Sequence, residues 1–420
     1  MPSRLITKFE YDYLTKNELT ESEMLEISQI NRREKLNFRI DGRGIKLSQY
    51  VGLMFLSSGT TIEVLPKVYS TDREENRLKA RKLLSAILYE LFDLNRKGGY
   101  GGGIRASEED FKMPLFEILV TQVLNYVEKR IVQPGIYKHY ERQKLTSRSV
   151  SGKLLITQMV QKFPHLKDKV IIEKEILTAN VPINRTVLNL AEFISKRCTN
   201  QKNKTLARKI VLYLKSVGIE SPQSVAKDLK RSTINRLNRH YYPVIQFAKS
   251  LFGNKKIISA KSHPFSFLFD MNKLFETFVA KSLPGSIYDN SKAETISEDF
   301  ILRPDILLPT GDRELVVIDT KWKFPSGGIH QQDRFQVISY MYVMSERRNL
   351  EIPAGILLYP ELPYNERKRV WKLSNRKKLI ALSLNLRQFL QSERFVGSES
   401  LDETAALLKR RVRETVELVT

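Results

Sequence analysis

The strongest chemical pattern lies in two short segments, Arg303-Pro304-Asp305-Ile306 and Val317-Ile318-Asp319-Thr320-Lys321-Trp322. In a strand, residues two apart point to one face, so Asp319 and Lys321 share a side. A hairpin turning at Thr310-Gly311-Asp312 would carry Asp305 up to Asp319. Two carboxylates beside one ammonium are costly to bury, because like charges repel where water is scarce. A hard divalent cation resolves that conflict. Oxygen donors and retained waters suit Mg²⁺, with Mn²⁺ as a substitute. The ion would acidify water and neutralise charge building on a phosphate. Lys321 would orient or help deprotonate that water, and the Thr320 carbonyl is a candidate extra ligand.

An Asp-x-Lys alone is more often a surface ion pair of small worth. Here it comes with an Asp after proline, a hairpin and an apolar strand. Downstream, Gln336 and Tyr340 are four apart and share a helix face, where they could meet a phosphate or a base edge. Upstream, Glu276 lies in an expected helix and is a further candidate metal ligand. Competing chemistries lack their residues. The five histidines have no His-x-x-x-His spacing, and no Gly-x-Ser-x-Gly elbow is present. The cluster Gly98-Gly99-Tyr100-Gly101-Gly102-Gly103 has no Gly-Lys-Ser/Thr after it, so no P-loop is expected.

The surrounding elements read as a mixed α/β fold in three regions. Residues 1–100 look like a β-rich module, with strands at 36–40, 50–56 and 61–65, then a helix over 77–94. Residues 104–265 read as mainly helical, with helices over 115–132, 184–197, 206–217 and a basic one over 227–239. Residues 266–420 read as an α/β domain with a mixed sheet: a helix over 269–283, strands over 300–308 and 314–322, a helix over 331–347 and a strand over 354–358.

Across its 420 residues the chain carries 70 Lys and Arg against 47 Asp and Glu, a formal net charge of +23. Such an excess favours a polyanionic partner, DNA above all, because phosphate contacts release counterions. Cys198 is the single cysteine, which excludes an internal disulfide and a thiolate zinc site and suits a reducing cytoplasm. No apolar run approaches a membrane span, and no secretory signal is expected.

At Asp305, Asp319-Thr320-Lys321 and the Gln336-to-Tyr340 spacing, the chain resembles the PD-(D/E)xK nuclease superfamily, in the branch with RecB-type nuclease domains. Over a longer stretch it resembles McrC, the nuclease subunit of McrBC modified-cytosine restriction systems. The matching pieces are Tyr50-Val51-Gly52, Ile62-Glu63-Val64-Leu65-Pro66-Lys67, Gly135-Ile136-Tyr137, Ser151-Gly152-Lys153-Leu154 and Asn184-Arg185. Val150-Ser151-Gly152 departs from the Leu-Arg-Gly common there. The resemblance implies a PD-(D/E)xK-like nuclease fold over 266–420. It implies Asp305 and Asp319 as metal-binding acids, Lys321 as their catalytic partner and Glu276 as the family's active-site glutamate. It also implies a partner, a hexameric McrB-like AAA+ GTPase ring, with the strands over 36–65 as candidates for the motor contact. The alternatives are a stand-alone repair nuclease and a noncatalytic, DNA-binding, motor-activating adaptor.

Overall fold

A computed structural model describes residues 4–69, 73–94, 111–162, 165, 168–221, 224–253, 265–288, 294–297, 300–325, 328–374, 376–398 and 400–418. The cluster Gly98 to Gly103 lies outside them. The fold is mixed α/β. Its contacts form two compact units, residues 1–119 with 259–420, and residues 120–258. The first and last of the three expected regions therefore share one unit.

The N-terminal part of the first unit contains β1 (Leu5–Phe9), β2 (Tyr13–Thr15), α1 (Glu21–Glu34), β3 (Arg39–Asp41), β4 (Gly44–Lys46), β5 (Tyr50–Phe55), β6 (Thr61–Leu65) and α2 (Glu74–Leu91). Helix α1 starts in a reciprocal cap between Thr20 and Glu23. The expected strand over 36–40 begins only at Arg39, because Lys35 and Asn37 take left-handed backbone angles, φ 54° and 59°. Leu36 and Phe38 are buried nonetheless, in a core with Leu14, Ile27, Ile45 and Val64. Glu63 of β6 is fully buried and pairs with Arg81 of α2 at 2.6 Å. It also accepts from the Leu115 N–H at 2.7 Å, at the start of α3 (Leu115–Val127).

The second unit is not simply helical. It contains β7 (His139–Ser147), β8 (Lys153–Leu154), α4 (Ile156–Lys162) and β9 (Val170–Thr178), whose strands form an antiparallel sheet in the order β7-β9-β8. Helices α5 (Pro182–Arg197), α6 (Gln201–Ser216), α7 (Val225–Arg231) and α8 (Tyr242–Phe252) follow. The basic helix expected over 227–239 stops at Arg231, where Asn235 and Asn238 bond to the main chain and close a turn. Asn184 is a bracket: its Nδ2 donates to the Tyr137 and Ala179 carbonyls, and its Oδ1 accepts from Tyr241. Arg185 grips Asp228 through two nitrogens, at 2.7 and 2.8 Å.

The chain then returns to the first unit through β10 (Phe265–Asp270), which pairs antiparallel with β5. That sheet has the order β1-β6-β5-β10. Gly52 faces Leu268 across the pair with φ +125°, and a Cβ there would lie 2.1 Å from the Phe267 carbonyl oxygen. Only glycine fits that approach. The expected helix over 269–283 starts later, at Met271, because Asp270 ends β10 and caps α9 (Met271–Ser282).

The remaining elements are β11 (Glu294–Ser297), β12 (Phe300–Leu302), β13 (Ile306–Gly311), β14 (Glu314–Thr320), α10 (Gln331–Arg348), β15 (Glu351–Tyr359), β16 (Lys368–Lys372), β17 (Lys378–Ser383), α11 (Leu386–Gln391), α12 (Glu393–Val396) and α13 (Leu401–Glu417). The single strand expected over 300–308 is two. Pro304 offers no N–H to a ladder, and the break falls at Arg303-Pro304-Asp305. The hairpin turn is also shifted: Gly311 still pairs with Glu314, so Asp312-Arg313 make the turn. The main sheet runs β13-β14-β15-β17-β16, with β14, β15 and β17 parallel. Helix α10 crosses from β14 to β15 and lies close because Gly355 has no side chain. A Cβ there would meet Val337 and Met341 at 2.5 Å. Among the described residues no helix is long and apolar enough to cross a membrane.

Candidate active site

The site gathers at the C-terminal end of β14. Ile306 is paired with Ile318, which sets Asp305 beside Asp319 at the next step of the hairpin. The Asp305 carboxylate is held from below: its Oδ2 accepts from the Thr320 N–H at 2.7 Å and from the Thr320 hydroxyl at 2.8 Å. Thr320 therefore positions the first acid through its donors.

Asp319 is the anomaly. Its side chain is 1% exposed, and neither carboxylate oxygen accepts a well-formed hydrogen bond. Among the described residues, the Lys321 ammonium meets it, 2.7 Å from Oδ2. Burial and then the Asp305 charge push its pKa up to about 7, against the pull of Lys321. Burial works to lower the Lys321 pKa, but the neighbouring Asp319 outweighs it and the net shift is upward. Lys321 is thus cationic at neutral pH, which fits charge stabilisation better than proton removal.

Helix α10 completes the row. Lys321 Nζ donates to Gln336 Oε1 at 2.9 Å, and Gln336 Nε2 donates to the Tyr340 hydroxyl at 2.8 Å. The i, i+4 spacing does what it suggests: it places both polar groups on the face that meets the strand end. Glu276 lies on α9, one residue before Thr277, which meets Tyr288. That phenol lies 2.8 Å from the Thr277 hydroxyl. Its pKa is raised by burial, with the Glu276 and Asp305 charges adding.

In sequence Asp333 stands just before the Gln336 and Tyr340 pair, but nothing there shows its partners. Asp333, 7% exposed, opens α10 and accepts from Lys323 at 3.0 Å and from the Tyr359 hydroxyl at 2.8 Å. Burial alone would raise its pKa, but these partners hold it below the usual range. The signal was weak: Lys323 two after Lys321, and a tyrosine ending an apolar strand. Asp333→Asn should leave both partners poorly matched and destabilise the protein by about 2 kcal/mol. Thermal unfolding checks this, with a midpoint drop of several degrees expected at neutral pH.

Among the described residues no three His, Cys, Asp or Glu side chains form a ready-made metal cage. Magnesium does not demand one, since it keeps several waters and uses one or two carboxylates. Buried Asp319 lies beside Asp305, and with no hydrogen bond to either of its oxygens among the described residues it offers the oxygen donors such an ion takes. The residues fit a divalent cation.

The family profile described as McrBC 5-methylcytosine restriction system component matches residues 45–360. No curated protein matches the chain significantly. Among solved structures, one similar chain belongs to the refined half-complex from the tetradecameric assembly of Thermococcus gammatolerans McrB AAA+ hexamers with bound McrC. It is 17% identical, with 99% of this chain and 100% of that chain covered at a TM-score of 0.63, which indicates a common fold. A chain of the Thermococcus gammatolerans McrBC complex is 21% identical over 66% of this chain and 86% of that one, at a TM-score of 0.46.

Proposed function

The chain belongs to the family of McrBC 5-methylcytosine restriction system components, and from that premise we propose that it is the McrC-type subunit that cuts DNA. The observation that carries this reading is the buried, unbonded Asp319 carboxylate set between Asp305 and Lys321. The region from β13 to β15 would then be a PD-(D/E)xK-type nuclease core. Asp305 and Asp319, with the Thr320 carbonyl and Glu276, would hold Mg²⁺ or Mn²⁺. That ion supplies Lewis-acid stabilisation of the phosphodiester and lowers the pKa of water. Thr320 fixes Asp305. Lys321 stabilises charge on the phosphate, and Gln336 and Tyr340 hold the Lys321 ammonium toward it. The likeness to a chain of an assembly of McrB AAA+ hexamers with bound McrC supports a ring NTPase as partner. The net charge of +23 supports DNA as substrate.

The deciding experiment is co-purification with the ring NTPase, followed by Mg²⁺-dependent cleavage of methylated and unmethylated DNA. Cleavage that needs both the ring and the metal is expected. A complex that stimulates the ring but never cuts would instead make this chain an adaptor. DNA affinity should also fall tenfold or more between about 50 and 200 mM salt. A flat salt response in a filter-binding assay would remove the basic-surface argument.

A further inference from the structure

We infer that Glu10 is a positioning residue for Lys321, acting through the indole of Trp322; its catalytic meaning rests on the nuclease reading above. Glu10 follows β1 and is 0% exposed. Its main-chain N–H donates to the Leu65 carbonyl at 3.0 Å, so the pairing of β1 with β6 fixes where it stands. Its Oε2 accepts from Trp322 Nε1 at 3.0 Å and from the Lys67 N–H at 2.9 Å. Trp322 is the residue after Lys321. Its ring is buried and packs 5.3 Å from Phe275, the neighbour of Glu276, and 5.7 Å from Phe324. One indole thus touches the end of the N-terminal sheet, helix α9 and the strand end that carries Asp319, Thr320 and Lys321.

The physical case starts from cost. Glu10 Oε1 is buried with no hydrogen-bond partner among the described residues, and an apolar side chain of similar size would avoid that penalty. Phe275 and Phe324 hold the ring by contact, and the N–H···O bond to Glu10 adds a direction to that packing. The need is local. Lys321 lies past the last ladder residue of β14, and its own N–H bonds only to the Leu358 carbonyl. From there to α10 the described residues belong to no strand or helix. A ring pinned at position 322 fixes the residue that follows Lys321 in the chain. The N-terminal sheet thereby becomes part of what aims the ammonium.

The test uses the full chain with its ring partner. Glu10→Leu, Glu10→Gln and Trp322→Phe are compared by two readouts. One is the rate of amine labelling at Lys321, read by mass spectrometry. The other is kcat and KM for cleavage of methylated DNA. Glu10→Leu and Trp322→Phe should raise Lys321 labelling several-fold and lower kcat about 10-fold or more, with KM nearly unchanged. Glu10→Gln keeps an acceptor for the indole and should stay close to the parent on both counts. Unchanged labelling in a folded Glu10→Leu or Trp322→Phe variant overturns the inference, as does Glu10→Gln failing as badly as Glu10→Leu. Where Glu10→Leu does not fold, Trp322→Phe decides. A parent assembly that cuts no DNA defeats the nuclease reading, and the labelling arm still decides whether Glu10 positions Lys321.

Discussion

On the proposed function, Asp319→Ala should lower Mg²⁺-dependent cleavage by about 10³-fold or more, while ring binding and NTPase stimulation should stay near the parent level. The substitution removes the buried carboxylate whose oxygens are unbonded, and with it the acid that holds Lys321 at 2.7 Å. Asp305 keeps its own place, because its Oδ2 stays tied to the two donors of Thr320. The loss should fall on kcat, since DNA affinity comes mainly from charge spread over the whole chain. Cleavage by the variant at the parental rate would end the assignment of this site. Loss of ring binding along with cleavage would show that the side chain supports the fold instead.

The second large effect has the opposite sign and concerns stability. Asp319 has an ordinary carboxylate pKa in the unfolded chain and about 7 in the folded, metal-free one. A raised folded pKa favours folding fully below the unfolded value, and that contribution is lost as pH rises through about 7. At pH 8 the folded protein therefore carries a charge it would rather not bury, a penalty on the order of 3–4 kcal/mol at most. Asp319→Asn should raise the unfolding midpoint of the metal-free protein at pH 8 by several degrees, and much less at pH 5. Mg²⁺ or Mn²⁺ should stabilise the parent more at pH 8 than at pH 5, and do little for Asp319→Asn. Calorimetry at the two pH values decides it. A variant whose effect on the midpoint is the same at pH 5 and pH 8 would contradict the raised pKa.

How much of this was legible in the sequence depends on how local the cause is. Asp319 and Lys321 could be put on one side from strand period alone, and Gln336 with Tyr340 from helix period. The hairpin that carries Asp305 was readable too, although the turn falls at Asp312-Arg313, because Gly311 pairs with Glu314. Long-range partners left no such trace. Glu10 meets Trp322 across most of the chain, and Tyr359 reaches back to Asp333. Their roles come from burial, which a single sequence does not display. Helix α1 was passed over because its apolar positions, such as Ile27 and Ile30, are sparse among charged ones. Strands β16 and β17 lie beyond the last motif that chemistry picked out. The strand expected from Leu36 failed for a backbone reason, the left-handed Asn37.

The pairing of β5 with β10 has a consequence during synthesis. β5 leaves the ribosome early, and its neighbour follows roughly 200 residues later, about 10–40 s at ordinary elongation rates. Through that interval the run Tyr-Val-Gly-Leu-Met-Phe is an open margin of apolar backbone, the kind that recruits other nascent chains. A fragment ending before residue 265 would keep that margin for good and should collect in inclusion bodies, whereas the whole chain closes it with its own returning segment.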